Sequence, residues 1–408
     1  MSLIHRIVPA VAVLLTVLIA GERSRQTAAA QDAEDSARDA RRAKTFAIIF
    51  NYGYAGDHFP QDKAAFEKVI QSARQADFNV ILCKYDPWRA EICKKHGMKI
   101  MVDLLASEHH VYKNVDATKK LCESLRRSDV IYGYHLWSDN IGNTYPGRSR
   151  DVKNVQSWDG THPAYVGSYR MSRVSRVENL DLLGYYDFHW KRGGHWGHLA
   201  KASRSAKAKD AGFLRYCDAA PGRIGAGNYN RALYTVSTSI VFGLKGYMFH
   251  YGGGVINKTT GQLDALGKDL QKLNAHVAPL GPELLKLRSP TAIYSTPTTK
   301  TAKDRPTGQP QPTVPAGFQG VPADLWVQVE SGEALFGMFQ DRQQRDALVL
   351  ANHNAYQPQD MKLSFKKPIK SVSLFSRDQG KWQPLKITDG SVSFQIAPAG
   401  LQLLRIEK

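Results

Sequence analysis

The chain has 408 residues, 42% hydrophobic and 23% charged, proportions that exclude wholesale disorder and collagen-like or coiled-coil organisation. Its formal charge of +18, from 55 basic and 37 acidic side chains, favours polyanionic surroundings: nucleic acid, anionic membrane or acidic polysaccharide. At roughly 100–200 residues per domain, the length suggests two domains, or a barrel with an appendage.

Met1–Arg6 is a short basic start, Ile7–Ala20 is an apolar run of fourteen residues, and a polar stretch then ends in Ala28-Ala29-Ala30. A membrane span needs about 20 apolar residues, so residues 1–30 read as a secretory signal peptide with an A-x-A cut. Glu22, Arg23 and Arg25 are unusual before such a cut, which leaves an uncleaved signal anchor as the alternative. Cleavage removes three arginines and one glutamate and leaves +16. No other segment has the length and apolarity of a span, so the mature protein is expected to be secreted or periplasmic, without a stable membrane span. That location argues against a nucleic-acid partner. Cys83, Cys93, Cys122 and Cys217 are too few and too scattered for a disulfide framework or a metal site. They read as buried thiols, with a Cys83–Cys93 bridge open to an exported chain.

After a polar leader over residues 31–44, a strand-then-helix pattern runs eight times. The expected strands are Phe46–Tyr52, Asn79–Lys84, Lys99–Leu104, Val130–Trp137, Ala164–Tyr169, Leu182–Phe188, Phe213–Cys217 and Gly246–His250. The helices between and after them include Lys63–Ala76, Asp116–Leu125, a weak one near Val152–Trp158, a basic one over His198–Ala208, and Tyr229–Phe242. Short continuous apolar runs spaced by helices indicate parallel strands buried on both faces. Eight units predict a (β/α)8 TIM barrel over residues 45–287. A doubly wound sheet fits less well, because Tyr52-Gly53-Tyr54-Ala55-Gly56-Asp57 lacks the dinucleotide-binding spacing. Residues 288–322 are rich in proline and threonine and read as a linker. Short alternating strands then predict a small antiparallel β-sandwich over residues 323–408, packed on the barrel as structural support.

Barrel enzymes carry their chemistry at the C-terminal ends of the strands. Those ends bring forward Tyr52, Asp103, His135, Trp137, Asp139, Asp187, His189, Trp190, Asp218 and His250. The segment after the sixth strand interleaves His189, Trp190, Lys191, Arg192, His195, Trp196 and His198 with glycines. Tryptophan faces stack on pyranose rings, while histidine, lysine and arginine donate to hydroxyl, sulfate or carboxylate oxygens. A hydrophobic plug over the barrel mouth is the plain alternative for that segment. His195 and His198 lack an evident third ligand, so no metal and no cofactor is expected.

Tyr134-His135-Leu136-Trp137-Ser138-Asp139-Asn140 resembles the Tyr-x-Leu-x-Asp-Glu-Pro ending of strand four in many glycoside-hydrolase-like (β/α)8 barrels. The resemblance spans residues 45–408 as architecture and implies the general acid/base role for Asp139, which falls on the family's glutamate. Here aspartate is one methylene shorter, and Ser138 stands where the motif has another aspartate. The second carboxylate would be Asp187, if strands four and six pair, or Asp218, if strands four and seven do. The expectation is a glycosidase acting on a polysaccharide or oligosaccharide, with anionic chains favoured by Lys191, Arg192 and the mature charge. The alternative is a catalytically silent carbohydrate-binding barrel, motivated by the missing glutamate.

Overall fold

The computed structural model describes residues 41, 44–53, 58–105, 109–137, 145–187, 195–218, 229–250, 254–298 and 318–408. The stretch read as a signal peptide, and nearly all of the expected leader, lie outside them. From residue 44 onward the described residues belong to one compact unit.

Eight parallel strands close into a barrel in chain order. They are β1 (Ala47–Phe50), β2 (Val80–Cys83), β3 (Lys99–Asp103), β4 (Ile131–Trp137), β5 (Ala164–Ser168), β6 (Leu182–Asp187), β7 (Gly212–Asp218) and β8 (Leu244–His250). Between and after them run α1 (Lys63–Gln75), α2 (Pro87–Lys95), α3 (Val115–Leu125), α4 (Tyr145–Trp158), α5 (Met171–Val174), α6 (His195–Ala208), α7 (Tyr229–Val241) and α8 (Ala265–Val277), then α9 (Gly281–Lys286).

The strands are buried on both faces, which is why they read as largely apolar runs. Ala47, Ile49, Val80, Leu82, Met101, Leu182, Leu214 and Met248 fill the barrel interior. Their neighbours Ile48, Phe50, Ile81, Ile100, Val102, Leu183 and Phe213 pack outward under the helices. Local chemistry sets the helix ends: Asp62 caps α1 by accepting from Ala65 N at 2.8 Å, and Gly97 takes φ 65° just beyond α2.

Two helices start earlier than the sequence pattern suggests. α4 begins at Tyr145 because Pro146, which resembles a turn residue, is tolerated in a first helical turn. α6 begins at His195, so His195 and Trp196 stand in its first turn and not on a flexible loop.

The C-terminal strands are β9 (Ala292–Ser295), β10 (Gln319–Gly320), β11 (Val327–Ser331), β12 (Ala334–Gln340), β13 (Asp346–Asn352), β14 (Gln359–Phe365), β15 (Ser371–Ser376), β16 (Lys381–Leu385), β17 (Ser391–Ile396) and β18 (Leu401–Glu407). One sheet has the order β10-β9-β12-β13-β18-β15-β16 and the other β11-β14-β17. Pairing is antiparallel apart from the short β9–β10 contact. This corrects the linker reading: β9, and the two residues of β10, come from the stretch taken as linker. The proline-rich composition masked them. β16 contains Pro384 and lies at a sheet edge, where a residue without an N–H is tolerated.

The two sheets enclose Phe336, Leu348, Leu350, Met361, Leu363, Val392 and Ile406. The opposite face of the larger sheet carries Leu335, Phe339, Ala347, Val349, Ala351 and Leu403, which join the outer core of the barrel. The sandwich therefore covers α7, whose residues Ala232–Val241 are all buried. Contact is close at Gly337, where a Cβ would lie 2.6 Å from the Val241 carbonyl oxygen. All four cysteines are buried as thiols, and no Cys83–Cys93 bridge forms.

Candidate active site

At the C-terminal end of the barrel, the apolar interior gives way to a polar floor. Asp103 on β3 and His135 on β4 are register partners. His135 Nδ1 lies 2.9 Å from Asp103 Oδ1, with the side chains 1% and 2% exposed. The same carboxylate oxygen accepts from Leu105 N at 3.1 Å. The His135 ring stacks on Tyr165 of β5, with centroids 5.4 Å apart. Farther round, Tyr186 and Tyr216 have ring centroids 4.6 Å apart, and Asn51 Nδ2 donates to the Tyr216 hydroxyl at 3.1 Å. Glycines make room for this layer. A Cβ on Gly184 would stand 2.1 Å, and one on Gly167 2.4 Å, from the Tyr165 hydroxyl oxygen.

Pairing of β4 with β5 shifts register between His135 and Trp137. A bulge re-aims the residues that follow it. His135 stays over the interior, while Trp137 packs on the outer core. The Arg148 guanidinium lies 4.2 Å from the Trp137 ring centre and 4.5 Å from that of Tyr112. Arg148 Nη1 donates to Asp151 Oδ2 at 2.7 Å. Burial lowers the Arg148 pKa and raises that of Asp151, and the partner's charge opposes each shift. His110 meets the Tyr112 ring at 4.1 Å; burial, then Lys113 and Arg148, lower its pKa.

The structure brings together only part of the site expected from sequence. Asp103 and His135 meet. Tyr52 instead packs its ring between Phe50 and Phe59 in the outer core, beneath Lys258 Nζ at 4.7 Å from the ring centre. Asp218 and His250 are register partners at the ends of β7 and β8, and Asp187 pairs with Cys217 at the end of β6. Asp139, His189, Trp190, Lys191 and Arg192 lie outside the described residues. Among those described, no group of three side chains could hold a metal ion, and no helix is long and apolar enough to cross a membrane.

Sequence reasoning overlooked Tyr112, Arg148 and Asp151, as well as the tyrosine layer. The three-residue spacing of Arg148 and Asp151 on a helix, and the glycines interrupting β5 and β6, were the available signals.

No family model and no curated protein matches this chain. Solved structures do. A glycoside hydrolase family 5 structure from Bacteroides vulgatus is 12% identical, with a TM-score of 0.51 over 88% of this chain and 89% of its own. A second structure, named a glycoside hydrolase, is 11% identical with a TM-score of 0.50, covering 88% of this chain and 92% of its own. What is shared at such low identity is the fold alone, and in this chain it is a closed eight-stranded (β/α)8 barrel.

Proposed function

We propose that this chain is an exported glycoside hydrolase that cleaves a polysaccharide, preferentially an anionic one. The observation that carries the reading is the buried Asp103–His135 pair at the C-terminal end of a closed barrel, the end where such folds do chemistry. The names of the two similar structures support the reaction class. Asp139 is assigned the general acid/base role from the strand-four motif, with Asp187 or Asp218 as its partner. Carboxyl groups about 5 Å apart would make the enzyme retaining, and about 6.5–9.5 Å apart inverting. Export follows from the signal-like residues 1–30, and a mature chain beginning at Gln31 is the corresponding mass-spectrometric result.

The test is reducing-sugar release from a panel of neutral, uronic and sulfated polysaccharides. Asp139→Asn is expected to lower kcat by about 100-fold or more while saccharide affinity stays near the parent value, because the carboxyl acts in the transition state. Unchanged turnover moves the role to another residue. Binding without release by the parent protein supports the second reading, a silent carbohydrate-binding barrel, which Ser138-Asp139-Asn140 favours over an intact Asp-Glu-Pro motif.

A further inference from the structure

Four buried side-chain nitrogens without a hydrogen-bond partner fall in one sector of the barrel rim: His109 Nδ1, His110 Nδ1, Trp137 Nε1 and Arg148 Nε. Trp137 is the last residue of β4, Arg148 lies in the opening turns of α4, and the two histidines follow β3, so all belong to the C-terminal face. The indole and guanidinium nitrogens can only donate. Leaving a buried donor unmatched is unfavourable, and folded proteins do it rarely. The Arg148 cation is only partly matched: Nη1 reaches Asp151, Nε reaches nothing, and the guanidinium lies against both the Tyr112 and Trp137 rings, whose own centres are 5.9 Å apart. Tyr112 is the open edge of the cluster, 37% exposed.

We infer that the Tyr112–Arg148–Trp137 cluster, with His110 beside it, is a subsite for an acidic substituent of a saccharide, a carboxylate or a sulfate. Acceptor oxygens on such a group match the unpaired Nε–H and indole N–H, and a planar guanidinium is the side chain best suited to them. The exposed face of Tyr112 takes the apolar face of the same sugar ring. Arg148 lies on an aromatic support that fixes its plane, so little rotamer freedom is lost on binding. This subsite rests on the glycoside reading and specifies the substrate class.

The experiment is calorimetric titration of the full chain with three oligosaccharides of equal length: neutral gluco-, uronic galacturono- and sulfated galacto-oligosaccharide. Trp137→Phe keeps a ring and removes the N–H, and Arg148→Lys keeps the charge and removes the planar donor set. Thermal melting confirms that each variant is folded. At least one acidic probe is expected to bind about tenfold or more tightly than the neutral one, the worth of one charge-assisted hydrogen bond. The probe that gains identifies carboxylate or sulfate. Either variant should bring the ratio close to one. Equal affinity for neutral and acidic probes, or a preference that survives both substitutions, overturns the subsite while leaving a neutral-glycan hydrolase standing. Failure of all three probes to bind, with no release from the polysaccharide panel, overturns the glycoside reading itself.

Discussion

Asp103 Oδ1 and His135 Nδ1 meet at 2.9 Å in the top layer of the barrel, on adjacent strands and in register, with almost no access to solvent. Hydrogen bonding to a carboxylate at one ring nitrogen fixes the orientation of an imidazole and favours one tautomer.

Removing that carboxylate has a defined cost. Asp103→Ala leaves a buried imidazole N–H without its acceptor and should destabilise the fold by about 1–3 kcal/mol. Asp103→Asn keeps an oxygen in reach and should cost less. Urea denaturation of both variants checks the order; equal losses would show that the carboxylate's charge, and not its role as acceptor, holds the pair.

Acid should weaken the junction between α8 and the C-terminal domain. His276 of α8 faces Arg377 at the turn between β15 and β16. Burial, then the Arg377 charge, push the His276 pKa down to about 3. The folded chain keeps this imidazole neutral, whereas the unfolded chain takes up a proton near pH 6.5. The resulting stability is fully present above about pH 6.5 and is lost as pH falls towards 3, with a slope of at most about 1.4 kcal/mol per pH unit. Thermal melts between pH 7 and 4.5 should slope for the parent and flatten for His276→Gln.

A second acid transition lies lower. Burial alone would raise the Asp159 pKa, but hydrogen bonds from His162, Tyr134 and Thr161 outweigh it and hold the carboxyl well below the usual range. Its contribution is present above about pH 4 and lost below that value. Asp159→Asn should therefore be less stable than the parent at pH 7, with the difference closing towards pH 2 in urea titrations.

Two glycine-to-alanine changes should have opposite signs. At Gly184 the new methyl would stand 2.1 Å from the Tyr165 hydroxyl oxygen, and overpacking of this kind costs about 1–3 kcal/mol. At Gly147, within α4, a Cβ meets nothing within 4 Å, and Gly147→Ala should add about 0.5–1 kcal/mol through helix propensity. Denaturant midpoints decide both.

Truncation after Leu287 should yield an aggregating barrel. α7 is buried along Ala232–Val241 because β12 and β13 cover the side that the barrel strands leave open. The fragment is expected to be insoluble or to bind a hydrophobic dye strongly. A soluble, cooperatively melting fragment would show that the sandwich is dispensable for folding.

The sequence by itself determined the barrel and which residues stand at the C-terminal ends of its strands. Runs such as Ala47–Phe50 and Val80–Cys83 are apolar on both faces because strands sandwiched between an interior and a helix layer have no wet side. Asp103 and His135 were legible as separate polar residues at strand ends. Their pairing was not, since neighbouring strands acquire a register only when the barrel closes. The same holds for Trp137, whose place beside Arg148 depends on the register shift in β4, and for Tyr52, which sequence put at the mouth and packing put among phenylalanines. Strand β9 was hidden for a related reason: Ala292–Ser295 carries little strand signal in isolation and becomes a strand by pairing with β12, which lies forty residues farther on. Periodicity records whether a residue is buried. Which buried residues touch is set by closure, bulges and long-range pairing, and those exist only in the folded chain.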